Sequence, residues 1–447
     1  MKRLSIYMAA AAVAAMSITS CSSDDPHDQL ATANPAPPTV GNPVWSKVIY
    51  EANPRFFATE DCLNAVANDL DRISSLGCDI LWLMPVYNPS TAPQSIGSPY
   101  SIKDFESLNP RYGTMTDLKN LVSKAHSMGM EVWLDWIGNH TGFDHPWVTD
   151  DPDRYEKDED GDLASPDGWN DVLQLNYNNP GVFEDMQEAM LYWVREADID
   201  GYRVDYADGV PGNFWMAIIP KLKELKSDLT MLAETSDYGF YNYGFDLIYD
   251  WNSATTISKA FTGGSARSIV QEAIGANANV PNGDSILRYV FNHDVAAENS
   301  INAMYGSLDA IPAAYVCAAM LNGTPMLYSS MDATGLSGTQ SFFNYTKLTF
   351  SSELTPVYAA INKAFVESAE IRRGELSNFS TNNAVVFTME IPEHTLLVMV
   401  NTTNSEETLS VPIQLANTQM NDLLNGSTVD LGITVTLDGY GYCIYAN

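Results

Sequence analysis

The chain has few basic residues. Among its 447 residues there are 23 Lys and Arg against 56 Asp and Glu, so the formal net charge is −33. A surface of this sign repels nucleic acid and anionic membranes, and it gives no electrostatic help in binding an acidic substrate. The composition therefore argues against a nucleic-acid partner and favours an uncharged ligand.

Cysteine is also scarce, and the five that occur show no CxxC pair and no metal-ligand spacing. Cys62, Cys78, Cys317 and Cys443 are therefore expected to be buried free thiols, although one disulfide stays open for a chain that leaves the cytoplasm. The sequence contains neither GxSxG nor HExxH. A serine hydrolase with a nucleophile elbow and a zinc hydrolase of the HExxH type thus have no support.

The first twenty residues have the pattern of a targeting segment. Lys2 and Arg3 precede an apolar run over residues 4–18, which is short for a transmembrane helix. The run ends in Ile18-Thr-Ser-Cys21, which resembles a bacterial lipobox. We expect residues 1–20 to be a lipoprotein signal peptide and Cys21 to become the lipidated N-terminus. An ordinary signal peptide with an incidental cysteine is the alternative.

The residues after Cys21 indicate where such a lipoprotein would lie. Ser22-Ser-Asp-Asp25 resembles the acidic signal that directs lipoproteins to the cell surface in the Bacteroidetes. The predicted location is the outer membrane, with the protein exposed at the cell surface and in contact with the membrane only through its N-terminal lipid. Residues 21–43 are rich in Asp, Ala and Pro and are expected to form an extended tether.

Strand-like and helix-like segments alternate between residues 44 and 372. The candidate strands are residues 48–51, 80–84, 131–134, 199–204, 229–232, 245–249, 286–290 and 325–328. Eight strands with intervening helices predict an α/β fold, a closed parallel (β/α)8 barrel, with an inserted loop domain at 140–178 after the third strand. From residue 373 to 447, short β runs joined by Asn, Ser and Gly turns predict a C-terminal antiparallel β-sandwich.

Four of the predicted strands are followed by an acidic residue. Asp135 follows the third strand, Asp205 the fourth, Glu234 the fifth and Asp294 the seventh. Reactive groups of a barrel lie beyond the carboxyl ends of its strands, so these four carboxylates are predicted to meet at one mouth. Arg203, two residues before Asp205, faces the same way. Two carboxylates that flank a glycosidic bond are the minimum machinery of a glycosidase.

The segments that carry these residues resemble the four signature regions of glycoside hydrolase family 13, the α-amylase family. They are Asp135-Trp-Ile-Gly-Asn-His140, Gly201-Tyr-Arg-Val-Asp205, Ala233-Glu234 and Phe291-Asn-His-Asp294. The surroundings also match, as in Tyr50-Glu-Ala-Asn-Pro-Arg55 and Ser98-Pro-Tyr-Ser101. Over about residues 45–370 the chain is identified as a member of this family, and its terminal β domain fits the family's usual C-terminal domain.

The resemblance implies a role for each acidic residue. Asp205 is the nucleophile, Glu234 the general acid and then the general base, and Asp294 the stabiliser of the transition state. The implied mechanism is a double displacement with retention, for which the two carboxyl groups lie about 5 Å apart. Because Glu234 must donate a proton near neutral pH, its pKa is expected to be raised. Arg203 is expected to keep Asp205 ionised by charge pairing.

The resemblance also implies contacts with the sugar. His140 and His293 are expected to hydrogen-bond sugar hydroxyls around the cleaved bond, and Arg203 to serve the binding site beside Asp205. Tyr100 is expected to stack under the sugar at the cleavage point, with simple packing as the alternative. Asp135 is expected to support the site from beneath.

A structural calcium ion is a further implication, with Asn139 as a ligand. Here the sequence departs from the family pattern, because Tyr206-Ala-Asp-Gly209 replaces the common Ala-x-Lys-His. The departure puts both the calcium ion and the contacts to the neighbouring sugar in doubt. The acidic segment 158–162 is interpreted as a hairpin turn rather than a calcium loop.

The function implied is a retaining α-glucan hydrolase that cleaves α-1,4 bonds of starch or maltodextrins. Three alternatives stay open: a neopullulanase or α-1,6-glucosidase, a transglycosylase of the same family, and a catalytically inactive surface glycan-binding protein. Intact Asp205, Glu234 and Asp294 argue against the last, because a protein that only binds glycan has no need of all three.

Overall fold

The computed structural model describes residues 43–166, 168–334 and 338–447. The predicted signal peptide, the lipidated Cys21 and all but the last residue of the predicted tether lie outside the described residues. No described helix combines the length and the apolar character needed to cross a membrane.

Eight parallel strands form a closed barrel, as the sequence predicts. They are β1 (Ile49–Ala52), β2 (Ile80–Leu83), β3 (Glu131–Ile137), β4 (Gly201–Asp205), β5 (Thr230–Ala233), β6 (Leu247–Tyr249), β7 (Ser285–Arg288) and β8 (Thr324–Tyr328). Each strand pairs with its neighbours in sequence, and β1 pairs with β8, with Tyr50 opposite Leu327, to close the ring. The barrel therefore has no free edge.

Helices surround the barrel. Their bounds are α1 (Cys62–Ser75), α2 (Met115–Ser127), α3 (Trp147–Asp150), α4 (Pro180–Ala197), α5 (Gly212–Leu225), α6 (Trp251–Phe261), α7 (Arg267–Asn277), α8 (His293–Glu298), α9 (Ile301–Tyr305), α10 (Ala310–Ala319) and α11 (Leu354–Glu367). Helix α2 begins at a capping box, in which Thr114 and Asp117 satisfy each other's backbone N–H groups. Apolar residues on the inner faces of these helices pack against the outward side chains of the strands.

The interior of the barrel is filled with large side chains, among them Trp82, Trp133, Leu232, Tyr249 and Met326. The indole of Trp133 lies against Gly201 in the adjacent strand. A Cβ atom at residue 201 would come within 2.7 Å of that ring and 2.6 Å of the carbonyl oxygen of Thr230. Gly201 is therefore required by close packing rather than by its backbone angle.

Strand β3 is longer than the sequence predicts. Trp136 and Ile137 pair with Val204 and Asp205, so the ladder between β3 and β4 continues past residue 134. Asp135 therefore lies inside β3 and is fully buried, instead of following the strand. The prediction of its position was wrong because the two buried strands pair beyond the point where the apolar run is broken.

The segment after β3 contains little regular structure. His140–Thr141 pairs with Leu173–Gln174 in a two-stranded sheet, and α3 lies between these strands. Lys157 and Leu163 form an antiparallel bridge, and the carboxylate of Asp158 accepts the N–H of Asp162 at 2.9 Å. The acidic segment 158–162 is thus a hairpin turn, as predicted.

The C-terminal region is an antiparallel β structure. Strands β9 (Glu375–Asn378), β10 (Ala384–Ile391), β11 (His394–Asn401), β16 (Tyr442–Ala446), β13 (Gln419–Asp422) and β14 (Thr428–Asp430) form one sheet in this order, and β12 (Glu407–Ser410) pairs with β15 (Thr434–Leu437). Leu409 and Leu437 of the small sheet share a buried cluster with Val386, Leu397 and Met399 of the large one. The two sheets therefore pack face to face, as a sandwich does. The four cysteines of the described residues are buried free thiols, as predicted.

Candidate active site

One buried arginine contacts three carboxyl groups at the mouth of the barrel. Nη1 of Arg203 donates to Asp135 Oδ1 at 2.8 Å and to Asp205 Oδ1 at 2.9 Å, and Nη2 lies 2.6 Å from Glu234 Oε1. The side chain of Arg203 is completely buried. Three carboxyl groups from three neighbouring strands therefore surround a single positive charge, and one cation cannot neutralise all three.

Among these carboxyl groups, Glu234 has the most strongly raised pKa. It follows β5 directly, and its Oε2 accepts the backbone N–H of Tyr206 at 2.7 Å. Burial, helped by the charges of Asp205 and Asp294 and opposed by that of Arg203, raises the pKa of Glu234 to about 8. A carboxyl group with this pKa still carries its proton at neutral pH, which is the condition predicted from the sequence for a general acid.

Asp205 is the last residue of β4 and reaches the same arginine. Burial raises its pKa, whereas the charge of Arg203 lowers it, and burial has the larger effect. The expectation that Arg203 favours ionised Asp205 by charge pairing thus agrees with the direction of the arginine's effect, but burial outweighs that effect. Arg203 shares its charge with two other acidic groups, which limits how far it can lower this pKa.

Asp294 differs from the other acidic groups in its exposure. It lies in the first turn of α8, whose N-terminal cap is Asn292, and half of its side chain is exposed. Together with Asp205 and His293 it lines a cavity of about 470 Å³. Its carboxylate is thus free to meet a ligand that enters from solvent.

Asp135 has no access to solvent and binds only protein groups. Its Oδ2 accepts hydrogen bonds from Trp82 Nε1 at 3.2 Å and from the Tyr100 hydroxyl at 3.1 Å, while Oδ1 accepts from Arg203. Burial raises the pKa of Asp135 to about 6. Its place in the site is to orient Arg203 and Tyr100 from below, where the sequence predicts a supporting group.

Tyr100 and the two histidines line the same cavity. The ring of Tyr100 stacks on the imidazole of His293, with centroids 5.4 Å apart and planes inclined by 16°. His140 is 2% exposed, and burial lowers its pKa to about 4, so its ring is neutral at pH 7. The structure thus brings together Asp205, Asp294 and these three rings around one space.

Asn139 fits a calcium site only poorly. Its buried Oδ1 has no hydrogen-bond partner, as an unused metal ligand would. However, Ca²⁺ takes six to eight oxygen ligands, usually with several carboxylates among them, and the described residues contain no group of three His, Cys, Asp or Glu side chains that could hold a metal ion. These residues do not fit a resident calcium ion, which stays a prediction from the resemblance alone.

Three residues of the site were not singled out from the sequence. Glu51, at the carboxyl side of β1, is fully buried, and its Oε1 lies 2.5 Å from His293 Nδ1. Trp169 contacts His140 edge to face at 5.3 Å and Tyr206 at 4.9 Å, and Tyr206 is 41% exposed with a left-handed backbone. The position of Glu51 at the end of a strand was the one available signal for it. The two aromatic residues lie in segments without regular periodicity.

Comparison with known proteins finds similarity to α-amylases. Residues 57–165 match the family described as the catalytic domain of α-amylase. The α-amylase MalA of Haloarcula japonica is 28% identical over 89% of this chain and 62% of its own length. Alpha-amylase 3 of Dictyoglomus thermophilum is 30% identical over 44% of this chain and 45% of its own length. The chain therefore spans less than two thirds of these curated relatives.

Solved structures show the same fold. The structure of an α-amylase from Lactobacillus plantarum has a TM-score of 0.80 and 24% identity, and the match covers 90% of this chain and 99% of that one. An α-amylase from Geobacillus thermoleovorans, solved in complex with acarbose, has a TM-score of 0.79 and 22% identity, with 91% and 99% covered. The barrel and the C-terminal sheets thus occur together in these structures.

Proposed function

We propose that the chain is a member of the α-amylase family and a retaining α-glucan hydrolase that cleaves α-1,4 bonds of starch or maltodextrins. The observation that carries the proposal is the pairing of Glu234 with Asp205 around Arg203. Both contact the arginine, burial raises the pKa of Glu234 to about 8, and we assign the ionised state to Asp205, whose carboxylate the charge of Arg203 favours. Two neighbouring carboxyl groups in different protonation states are what acid–base and nucleophilic roles require.

The chemistry follows from these states. Glu234 donates its proton to the glycosidic oxygen as the bond to the leaving sugar breaks, and a carboxylate oxygen of Asp205 bonds to the anomeric carbon. Glu234, now ionised, removes a proton from water, and the resulting hydroxide displaces Asp205 and releases the sugar. Two inversions at the same carbon give net retention. Asp294, which is half exposed in the cavity, is placed to grip sugar hydroxyls throughout.

Product analysis tests the proposal. Purified protein is incubated with soluble starch and with pullulan, beside an Asp205→Asn variant, and the products are separated by chromatography. Short maltooligosaccharides from starch, absent with the variant, support an α-1,4 hydrolase. Early ¹H NMR spectra of the products should show the α-anomer first if retention holds. No product from either polymer, with glucan binding retained, would replace the proposal with a glycan-binding protein.

The same experiment distinguishes the alternatives within the family. Panose or maltotriose from pullulan would indicate a neopullulanase or an α-1,6-acting enzyme. Products longer than the starting oligosaccharide would indicate transglycosylation, since a sugar can replace water in the second step. Asp208 and Gly209 stand where the common pattern has Lys-His, and Tyr206 just before them contacts Trp169, so we propose that acceptor binding in this chain uses stacking on these two rings rather than charge.

We also propose that the protein is an outer-membrane lipoprotein exposed at the cell surface. The proposal is supported by the lipobox-like segment that ends at Cys21 and by the acidic residues after it. Metabolic labelling with a radioactive fatty acid should mark the full-length protein and fail to mark a Cys21→Ser variant. Protease treatment of intact cells should remove the protein, whereas a periplasmic marker survives.

A further inference from the structure

Glu51 is a buried carboxylate that the proposed reaction does not use. It lies in β1 and is 0% exposed. Its Oε1 is 2.5 Å from His293 Nδ1, and its Oε2 has no hydrogen-bond partner. A buried carboxylate without a compensating charge is strongly destabilising, so a fold that keeps one has placed a cation against it. His293 is the group in that position.

The hydrogen bonds of Tyr100 define the protonation of His293. The Tyr100 hydroxyl donates its only proton to Asp135 Oδ2 at 3.1 Å, and it lies 2.8 Å from His293 Nε2. Burial raises the pKa of Tyr100 well above its usual value, so the hydroxyl keeps that proton. Toward His293 the oxygen can therefore only accept, and Nε2 must carry a hydrogen.

The other nitrogen of His293 faces Glu51. An ionised carboxylate only accepts hydrogen bonds, so Nδ1 must carry a hydrogen as well. Burial raises the pKa of Glu51, but the facing carboxylates raise the pKa of His293 to about 9, well above the ordinary value of a carboxyl group, so we assign the shared proton to the histidine. With hydrogen on both nitrogens, His293 is an imidazolium cation.

We propose that Glu51 is a positioning residue that holds His293 as an imidazolium and, through it, fixes the hydroxyl and the ring of Tyr100 beneath the reacting sugar. The chain of contacts runs from Glu51 to His293, then to Tyr100, Asp135 and Arg203. With the shared proton on His293, every link of this chain joins a donor to an acceptor. The catalytic consequence rests on the proposed hydrolase function, whereas the protonation state of His293 does not.

The charges that face His293 oppose one another. Burial lowers the pKa of His293, but Asp294 and Glu51 outweigh it and raise the value to about 9, against the effect of Arg203. Asp294 Oδ1 lies 3.3 Å from Nε2 on the cavity side. Asp135 and Asp205 also interact with His293 through their charges. Since Asp294 is half exposed, Glu51 is the closest fully buried anion of this set.

The first test observes the histidine directly. ¹⁵N-labelled histidine spectra of the full chain, which has six His, are recorded from pH 5 to 10, and His293 is assigned by the signal lost in a His293→Gln variant. We expect both ring nitrogens of His293 to be protonated at pH 7.5 in the unaltered protein. In a Glu51→Gln variant the amide oxygen still accepts from Nδ1 but carries no charge, so the titration midpoint should fall by about two pH units or more, toward the ordinary histidine value of about 6.5.

A matched control separates this effect from a general loss of stability. Asp332 is also a buried carboxylate and pairs with Arg72 and Tyr50, away from His293. An Asp332→Asn variant should leave the His293 midpoint unchanged. The signal of His126, which pairs with Asp200 at the opposite end of β4, serves as an internal reference. A His293 midpoint near 6.5 in the unaltered protein, or no shift in Glu51→Gln, would overturn the proposal.

Kinetics supply the second test. Because the variant histidine is neutral at pH 7.5 but protonated at pH 5.5, kcat of Glu51→Gln should fall roughly tenfold at pH 7.5 and return to within threefold of the parent at pH 5.5, with little change in KM. A structural role would reduce activity equally at both values, and that outcome would overturn the positioning role. If the parent shows no hydrolysis, the proposed function fails, while the spectra still decide the state of His293.

Discussion

Two buried arginines on strands of the barrel are used in opposite ways. Arg203 of β4 faces the interior, where Asp135, Asp205 and Glu234 share its charge. Arg288, the last residue of β7, faces the helices, where its guanidinium contacts one carboxylate, Asp250. The same side chain thus meets three carboxyl groups at the first site and one at the second.

The neutral partners of Arg288 complete the contrast. Ser253 Oγ, Asn277 Oδ1 and the carbonyl oxygen of Asn322 accept its remaining N–H groups at 2.5, 2.7 and 3.2 Å. This cluster is a balanced ion pair with satisfied hydrogen bonds, which serves stability. Around Arg203, burial and, to a smaller extent, the neighbouring negative charges raise the pKa of the carboxyl groups, which is typical of a site that moves protons.

The largest effect is expected from Asp205→Asn. The amide oxygen does not form the bond to the anomeric carbon, so kcat/KM for maltoheptaose should fall by at least about 10³-fold. Reducing-sugar release measures the rate. Asp332→Asn, which also removes a buried carboxylate but lies outside the cavity, is the control and should keep most of the activity. A residual rate above a tenth of the parent's would exclude Asp205 as the nucleophile.

Substitution of each arginine by methionine tests the comparison itself. Arg288→Met leaves Asp250 buried without a partner, so the free energy of unfolding should fall by about 3–5 kcal/mol, while the activity per folded molecule is retained. Urea denaturation and active-site titration measure the two quantities. Arg203→Met should abolish activity, because Asp205, Asp135 and Glu234 then repel one another.

An active Arg203→Met variant, or an Arg288→Met variant that is stable but inactive, would contradict the assignment of the Arg203 cluster to catalysis and of the Arg288 cluster to stability.

The pH dependence follows from Glu234. Its acidic form is required, so activity should fall as the pH rises through about 8, the pKa to which burial raises it. The same shift affects stability. Between about pH 4.5 and 8 the folded state keeps a proton on Glu234 that the unfolded state has lost, so the free energy of unfolding should decrease as the pH rises through this range. Rates of hydrolysis measured from pH 5 to 10 give the decline of activity at high pH, which is the basic limb of the profile. A Glu234→Gln variant should lack it on substrates with good leaving groups.

A smaller effect is expected at the aromatic pair. Trp169→Ala removes a stacking surface worth about 0.5–1.5 kcal/mol, so KM for maltoheptaose should rise by about two- to twelvefold with kcat nearly constant. Tyr206→Asn is the matched variant, because asparagine tolerates the left-handed backbone at residue 206. An equal loss on a short aryl maltoside would show that the pair does not contact the distant sugars.

The fold was predictable from the sequence because parallel strands are continuous apolar runs that end at polar residues. The four acidic positions could be assigned to one mouth for the same reason. The role of Glu51 could not be predicted, because its contact with His293 forms only when β1 pairs with β8 and closes the barrel, and no local sequence pattern encodes that pairing. The position of Asp135 was missed because strand pairing, rather than hydrophobicity, decides where β3 ends.

The unequal charge around Arg203 also has a pharmacological consequence. A sugar ring that carries a basic nitrogen places a cation where positive charge develops in the transition state, so such a compound should bind more tightly than the uncharged sugar. Because Glu234 loses its proton as the pH approaches 8, the affinity of a permanently charged analogue should rise with pH while hydrolysis slows. Ionisation of Glu234 would then strengthen inhibition and slow turnover, so the two would depend on pH in opposite directions.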